Sequence, residues 1–270
     1  MNDILSHSIG LDGVDNAREL GGYVMQDGRT VKSGVLLRTG KLLGATAQDI
    51  SKLRDIYKVE KVLDMRTTVE IAQEPDVQID GAENIHIGVI DESVASEDAA
   101  AMTAIYAKGE NLLQSFIDMI SAGRFIGNMY KSVLTSKHMQ RECRRFFDEL
   151  LTADGAVLWH CTGGKDRTGM TAVFLLTVLG ADKATALADF ALTNEYYKAK
   201  IDFTVAAVKK ITDDELTIKT IAGLIGVNFD FMDEIYSMTE AKCGSMLEFI
   251  KSEIGVTDDE ILILKEKYLN

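Results

Sequence analysis

Ala156-Val157-Leu158-Trp159 is a short, wholly apolar run that empties into His160-Cys161-Thr162-Gly163-Gly164-Lys165-Asp166-Arg167, after which an apolar stretch runs from Thr168 to Leu179. A brief apolar run bounded by turn residues reads as a buried strand, and the longer segment as a buried helix. Strand, tight loop and helix in that order build a parallel sheet, so this feature restricts the chain to α/β architectures. The flanking sequence agrees. Val59–Leu63 and Ile85–Ile90 have the β-branched character of buried strands, and Val35–Leu37 is a shorter piece among the turn signals Gly21-Gly22, Asp27-Gly28, Ser33-Gly34 and Gly40. Thr46-x-x-Asp49 is a capping box, followed at helical spacing by Ile50, Leu53 and Tyr57. Between residues 110 and 151, Leu112, Leu113, Phe116, Ile117 and Ile120, and later Phe146, Phe147 and Leu150, recur at threes and fours. From Asp182, a predicted N-cap, the chain reads as helix, with further capping boxes at Thr212-x-x-Glu215 and Thr257-x-x-Glu260.

The expected fold is therefore α/β, a central, mainly parallel sheet flanked by helices with extra helices at the C-terminal end. Pro75 is the single proline, no Gly/Ser linker divides the chain, and Ala99–Ala101 is its only low-complexity stretch. One unit spanning 1–270 is expected. The net charge of −13 repels nucleic acid and anionic membrane surfaces unless a basic patch is locally concentrated, so neither nucleic acid nor integral membrane contact is expected. Cys143, Cys161 and Cys243 are odd in number and form no CxxC pair, which excludes a fully paired disulfide framework and a cysteine zinc clamp. No run approaches the roughly 18 apolar residues of a membrane span. The first residues lack a basic n-region and an apolar h-region, so as it stands the chain reads as cytoplasmic, or as secreted if a signal peptide has been removed.

The loop at 160–168 carries the chemistry. Peptide N–H groups of a glycine-bearing loop, together with a helix N-terminus, make an anion cradle. The same field favours a thiolate and can lower a cysteine pKa from ~8.5 into the 3.5–7.5 range. Arg167 brings a planar fork suited to a tetrahedral oxyanion, and Gly163 and Gly164 permit unusual dihedrals and close approach of backbone to ligand. A nucleotide-binding loop of the form G-x-x-x-x-G-K-[ST] fails here at two positions, Trp159 and Asp166. An inert, buried Cys161 would leave a lysine, an arginine and paired glycines at one turn without a purpose.

His160-Cys161-x5-Arg167-Thr168 resembles the signature of the cysteine-dependent protein tyrosine phosphatase superfamily. The variant HCTGGKDRTG is similar to that of a bacterial subgroup, the broad-specificity tyrosine/serine phosphatases of the mycobacterial and listerial secreted type. Asn16-Ala-Arg18-Glu-Leu-Gly21-Gly22, Val31-x-x-Gly34-x-x-x-Arg38-Thr, Asp64-Met65-Arg66-Thr67-x-x-Glu70 and Gly244-Ser245-Met246-Leu247 resemble other segments of the subgroup, which extends the likeness over nearly the whole chain. Gly163 departs from it, an alanine being commoner there. The resemblance implies a tyrosine phosphatase-like fold and covalent catalysis without cofactor or metal. Cys161 would be the nucleophile. Arg167 and the N–H groups around Thr162, Gly163, Gly164 and Lys165 would hold the phosphoryl oxygens, Thr168 would donate its hydroxyl to the thiolate, and His160 would support the loop. Phosphate and vanadate would bind the cradle, and phosphorylated protein or phosphoinositide would be the substrate.

Several roles stay open on the sequence. With no Trp-Pro-Asp loop, the general acid is sought first at Asp166, as the resemblance implies, then at Asp64, then at Asp91. Lys165 would either serve a second phosphate, as on an inositol phospholipid, or pair with a nearby carboxylate. Arg18, Arg38 and Arg66 are expected in structural pairs, with Asp64 and Glu70 as candidate partners. Phe190, Tyr196, Tyr197, Phe203, Phe229 and Phe231, spread over helices at 183–240, would be core residues or, as the resemblance suggests, part of a lid. His7, His86 and His138 show no ligand spacing. A rhodanese-type sulfurtransferase and a catalytically silent phosphate-binding module are the alternative functions.

Overall fold

The computed structural model describes residues 7–93 and 134–270, with Gln114, Ile117 and Lys131 between them. Strands β1 (Arg18–Glu19), β2 (Leu36–Thr39), β3 (Val59–Asp64), β4 (Glu83–His86) and β5 (Ala156–His160) form one sheet in the order β1-β2-β5-β3-β4. Only β1 pairs antiparallel; β2 with β5, β5 with β3, and β3 with β4 are parallel. Every residue of β5 is buried, which is why it reads as a continuous apolar run. Side chains alternate across the sheet. Val157 and Trp159 join Phe146, Phe147 and Phe174 on one face, whereas Leu158 joins Leu37, Leu53 and Val62 on the other. Trp159 meets Phe146 edge to face at 5.6 Å, and its indole N–H donates to the Thr168 carbonyl at 3.2 Å. That bond satisfies the one polar atom of a buried tryptophan and fastens the strand to the helix that follows.

Register positions the site. His160 is level with Thr39 of β2 and with Asp64 of β3. Cys161 is thus the first residue beyond the carboxyl edge at the middle of the sheet, where open α/β sheets hold their ligands.

The described helices are α1 (Ala47–Ser51), α2 (Thr68–Gln73), α3 (Lys137–Thr152), α4 (Asp166–Leu179), α5 (Lys183–Tyr196), α6 (Lys198–Val208), α7 (Glu215–Ile225), α8 (Phe229–Cys243), α9 (Met246–Phe249) and α10 (Asp258–Tyr268). The apolar α4 is buried along almost its whole length, with Phe174 against Phe249. Thr46 and Thr257 form the expected capping boxes and Asp182 the expected N-cap. Thr212 does not cap a helix. Its hydroxyl accepts from Asp214 N, and Asp214, a stronger N-cap residue, takes the Thr217 N–H to start α7.

Several boundaries move. The expected strands Val35–Leu37 and Ile85–Ile90 are Leu36–Thr39 and Glu83–His86, because their limits follow pairing with β5 and β3 rather than local composition. Helix α4 starts at Asp166 rather than Thr168, so that Asp166 and Arg167 lie in its first turn. Ile117 is helical and packs with Val208 and Ile221. Leu112, Leu113, Phe116, Ile120 and Ala99–Ala101 lie outside the described residues.

Candidate active site

Cys161 is 2% exposed at the junction of β5 and α4. Burial works to raise its thiol, but the Arg167 guanidinium and the hydroxyl and peptide N–H of Thr168 outweigh it and hold the thiol below its ordinary range; Asp166 pulls weakly the other way. Thr168 Oγ1 is buried with no other hydrogen-bond partner, which leaves it to the sulfur.

Arg167 is aimed by Glu70. Its Nη1 donates to Glu70 Oε2 at 2.7 Å and its Nη2 to Oε1 at 2.8 Å, while Nη1 also reaches the Met65 carbonyl at 3.2 Å. Glu70 is the N3 residue of a capping box with Thr67, which fixes its backbone at the start of α2. Burial disfavours its charge, yet Arg167 and the Thr162 hydroxyl keep the carboxyl far below the usual carboxylate range. Thr162 Oγ1 donates to Glu70 Oε1, so one carboxylate ties both ends of the loop. The pairing engages Nη1 and Nη2, with Nη2 also 3.4 Å from Thr162 Oγ1, and leaves Nε without a hydrogen bond to the described residues.

Gly164 has φ +63, and a Cβ there would stand 2.2 Å from the Thr39 carbonyl oxygen, so only glycine fits. Gly163 has no such need. A Cβ there would meet Tyr197 Oη at 3.2 Å, a contact that an alanine would have to push aside. Tyr197 donates to the Gly163 carbonyl at 2.9 Å. Lys165 Nζ donates to the carbonyls of Leu224 and, at 2.9 Å, Gly226, and stands 3.2 Å from Asp166 Oδ2. Of its two expected surroundings the structure has the pairing with a nearby carboxylate, and the other protons of Lys165 hold the C-terminal end of α7. Asp166 is a quarter exposed beside it.

The other sequence candidates separate from this group. Asp64 receives Arg66 Nε at 2.9 Å and Nη2 at 2.6 Å, and its carboxyl is held below its ordinary range by Arg66 and His160 against the effect of burial. Asp91 is engaged by the peptide N–H of Ser93 at 3.0 Å and by its hydroxyl, which lower its carboxyl. His160 is fully buried, and burial keeps it neutral against the pull of Asp64 and Asp76. Its Nδ1 faces the Cys161 carbonyl at 3.3 Å. Asp64, Asp76 and His160 could in principle share a metal ion. Arg66 Nη2 lies between the two carboxylates, however, and supplies the positive charge that such an ion would bring.

Arg66 thus has the expected partner, Asp64, whereas Glu70 belongs to Arg167. Arg18 and Arg38 both pair with Asp189 of α5, which the sequence reading missed. The available signal was a lone carboxylate one residue before Phe190 and on the helix face of Ala186 and Thr193, all of them buried. Phe190 is core, Tyr197 lies against the loop, and Phe203 and Phe229 are exposed, so the aromatics of 183–240 do not act as one set.

The tyrosine phosphatase family profile matches residues 9–270. A Cupriavidus necator protein named as a tyrosine-protein phosphatase is 25% identical over 97% of this chain and 89% of its own. The triple specificity protein phosphatase PtpB of Mycobacterium tuberculosis is 24% identical over 80% of this chain and 86% of its own. Among solved structures, Pseudomonas aeruginosa TpbA is 18% identical and covers 71% of this chain and 89% of that one at a TM-score of 0.30. With a buried, acidified cysteine and a fixed arginine at the two ends of one loop, and a family match over almost its full length, the chain belongs to the tyrosine phosphatase family and is a cysteine-dependent phosphatase.

Proposed function

We propose that this phosphatase belongs to the broad-specificity bacterial tyrosine/serine branch and hydrolyses phosphotyrosine, with phosphoserine, phosphothreonine and phosphoinositides as further substrates, through a phosphocysteine at Cys161. The observation that carries the mechanism is the thiol itself, buried yet acidified by Arg167 and Thr168. The Cys161 thiolate attacks phosphorus, the S–P bond forms, and the P–O bond to the leaving group breaks as that oxygen takes a proton. Water then attacks phosphorus and gives a proton to the carboxylate that supplied the first one, the S–P bond breaks, and the thiolate returns with the hydroxyl of Thr168 donating to it. The Nε edge of Arg167 and the loop N–H groups bind the three equatorial oxygens as charge redistributes among them.

Asp166 is the proton donor in this scheme. Asp64 is held by Arg66 and Asp91 by Ser93, whereas Asp166 stands in the first turn of α4 at the loop itself, beside Lys165 and with a quarter of its side chain exposed. The helices of 183–240 act as a lid, anchored through Tyr197 to Gly163 and through Lys165 to the end of α7. For Lys165 to serve a second phosphate it must release those carbonyls. The relation to a triple specificity phosphatase and the HCTGGKDRTG loop favour the broad-specificity branch.

The decisive assay is metal-independent release of phosphate from an aryl phosphate, inhibited by vanadate. Cys161→Ser should retain phosphate binding and lose turnover, and residual activity above about a thousandth of wild type would remove the covalent mechanism. Thiosulfate with cyanide as substrate separates the sulfurtransferase alternative. A panel of phosphotyrosine peptide, phosphoserine peptide and phosphoinositide vesicles tests the breadth, and activity confined to one of the three would place the protein outside the proposed branch.

A further inference from the structure

Three successive carbonyls of the catalytic loop are held from outside it. Lys41 N donates to the Thr162 carbonyl at 3.1 Å and Tyr197 Oη to that of Gly163 at 2.9 Å. The Gly164 carbonyl receives two donors, Asn16 Nδ2 at 2.8 Å and Arg38 Nη2 at 3.0 Å. In a trans peptide the C=O of one residue and the N–H of the next point in opposite directions. Fixing the carbonyls of 162–164 on the outer side therefore turns the N–H groups of 163–165 to the inner side, where an oxyanion would lie.

Both donors to Gly164 depend on Asp189. Its Oδ2 takes Arg38 Nη1, and its Oδ1 takes Arg18 Nε at 3.0 Å. Arg18 Nη1 in turn donates to Asn16 Oδ1, which orients the carboxamide so that its nitrogen faces the loop. Arg18 Nη2 closes the circuit on the Asp189 carbonyl at 3.0 Å and on Thr193 Oγ1 at 3.2 Å. Arg18, Arg38 and Asp189 are all fully buried. Two guanidinium groups and one carboxylate leave one net positive charge against the Gly164 carbonyl. A buried guanidinium needs a fixed counter-charge to hold one orientation, and Asp189 supplies it to both.

We propose that Asp189 is a positioning residue for catalysis: through Arg38 and the Arg18–Asn16 pair it clamps the Gly164 carbonyl outward and so aims the loop N–H groups at the equatorial oxygens of the transition state. Such donors act most strongly where charge develops. Loosening them should hurt the transition state more than the ground state. The inference rests on the reading of the loop as the phosphoryl cradle.

The test compares wild type with Asp189→Asn and Asn16→Ser, each assayed well below its own Tm. Asp189→Asn keeps the side-chain shape and removes the charge that orders both arginines. Asn16→Ser leaves Asp189 in place and cuts the link from Arg18 to the Gly164 carbonyl, since a serine reaches one of the two at most. The readouts are kcat and KM on an aryl phosphate and the inhibition constants of vanadate and inorganic phosphate. Loss of a whole oxyanion donor costs about 10²–10³ in kcat, so misaiming should cost about tenfold or more. That loss is expected in kcat and in vanadate affinity, with phosphate affinity changed less than about threefold. A structural role alone would lower Tm and leave the ratio of vanadate to phosphate affinity at its wild-type value. That result in either folded variant would overturn the proposal. If Asp189→Asn does not fold, Asn16→Ser decides by the same ratio. A wild-type protein with no vanadate-sensitive turnover would instead overturn the cradle reading, and this proposal with it.

Discussion

Glu70→Gln isolates what the carboxylate does for Arg167. Glutamine also serves as the N3 partner of a capping box, so the start of α2 should survive the change. The paired geometry cannot, because one of two acceptor oxygens becomes an NH2 group facing a guanidinium N–H. Breaking a fully buried ion pair from one side costs about 3–5 kcal/mol. Here the side chain of Arg167 is 10% exposed and that of Glu70 30%, so solvent screens part of the interaction. A figure of about 2 kcal/mol is appropriate, and at 1.36 kcal/mol per tenfold this is about thirtyfold in kcat/KM. A second signature runs the other way. Glu70 partly neutralises the guanidinium that acidifies Cys161, so its loss should make the thiol more acidic while turnover falls. The assay is kcat/KM on an aryl phosphate, together with the rate of iodoacetamide inactivation as a function of pH. A kcat/KM within threefold of wild type, or an inactivation midpoint that moves upward, would refute the claim that Glu70 aims Arg167 without providing its charge.

Asp166→Asn should depress kcat/KM most for leaving groups of high pKa, by up to ~10²–10⁴-fold, and little for a nitrophenyl ester; across graded aryl phosphates, a steeper slope in Asp64→Asn instead would move the acid to Asp64. Gly164→Ala must adopt a left-handed backbone and displace the Thr39 carbonyl. About 3 kcal/mol of destabilisation is expected, a fall of about 6–12 °C in Tm, and an unchanged Tm with full activity would contradict the geometry. Glu70 and Asp189 are held ionised below their ordinary range and His160 is held neutral by burial, so each has a folded pKa below its unfolded one. The unfolded chain then binds more protons as pH falls, so the His160 share of stability should be lost below about pH 6.5 and the carboxylate share below about pH 4.5, a decline running from pH 7 to about pH 3. A Tm flat over that interval would show that these groups are not paired as described.

The chemistry is legible in the sequence because it is contiguous. Nucleophile, arginine, threonine and glycines occur within one strand-to-helix turn, and the strand and helix on either side are apolar enough to be read directly. Ion pairing is legible only where it is local. Arg66 and Asp64 lie two residues apart and pair as expected, whereas Arg18 and Arg38 reach Asp189 across 171 and 151 residues. The charge of Asp189 could be seen, but not which of several arginines it would meet, since that depends on how α5 lies against β1 and β2. Strand ends shift for the same reason. A strand stops where its neighbour stops offering hydrogen bonds, and His160 and Asp64 end β5 and β3 together.

Backbone strain shows how far the site extends beyond its loop. Among the described residues, Asn16 and Lys58 are the non-glycine positions with positive φ, and Asn16, at φ 56, is bonded through its side chain to Gly164, at φ +63. A left-handed residue of this kind costs about 1–3 kcal/mol and persists where its surroundings over-determine it. Asparagine tolerates that conformation better than most residues, and its carboxamide offers an acceptor and a donor on one short stem. Here the acceptor takes Arg18 and the donor serves Gly164. An aspartate would lose the donor, and a serine would reach one partner at most. The conformation at residue 16 is thus tied to the carbonyl it holds 148 residues away. A loop that performs its chemistry with a few adjacent residues is kept in shape by β1, β2 and α5, and a match confined to the loop would not carry that frame. The family match, which runs from residue 9 to residue 270, includes all of it.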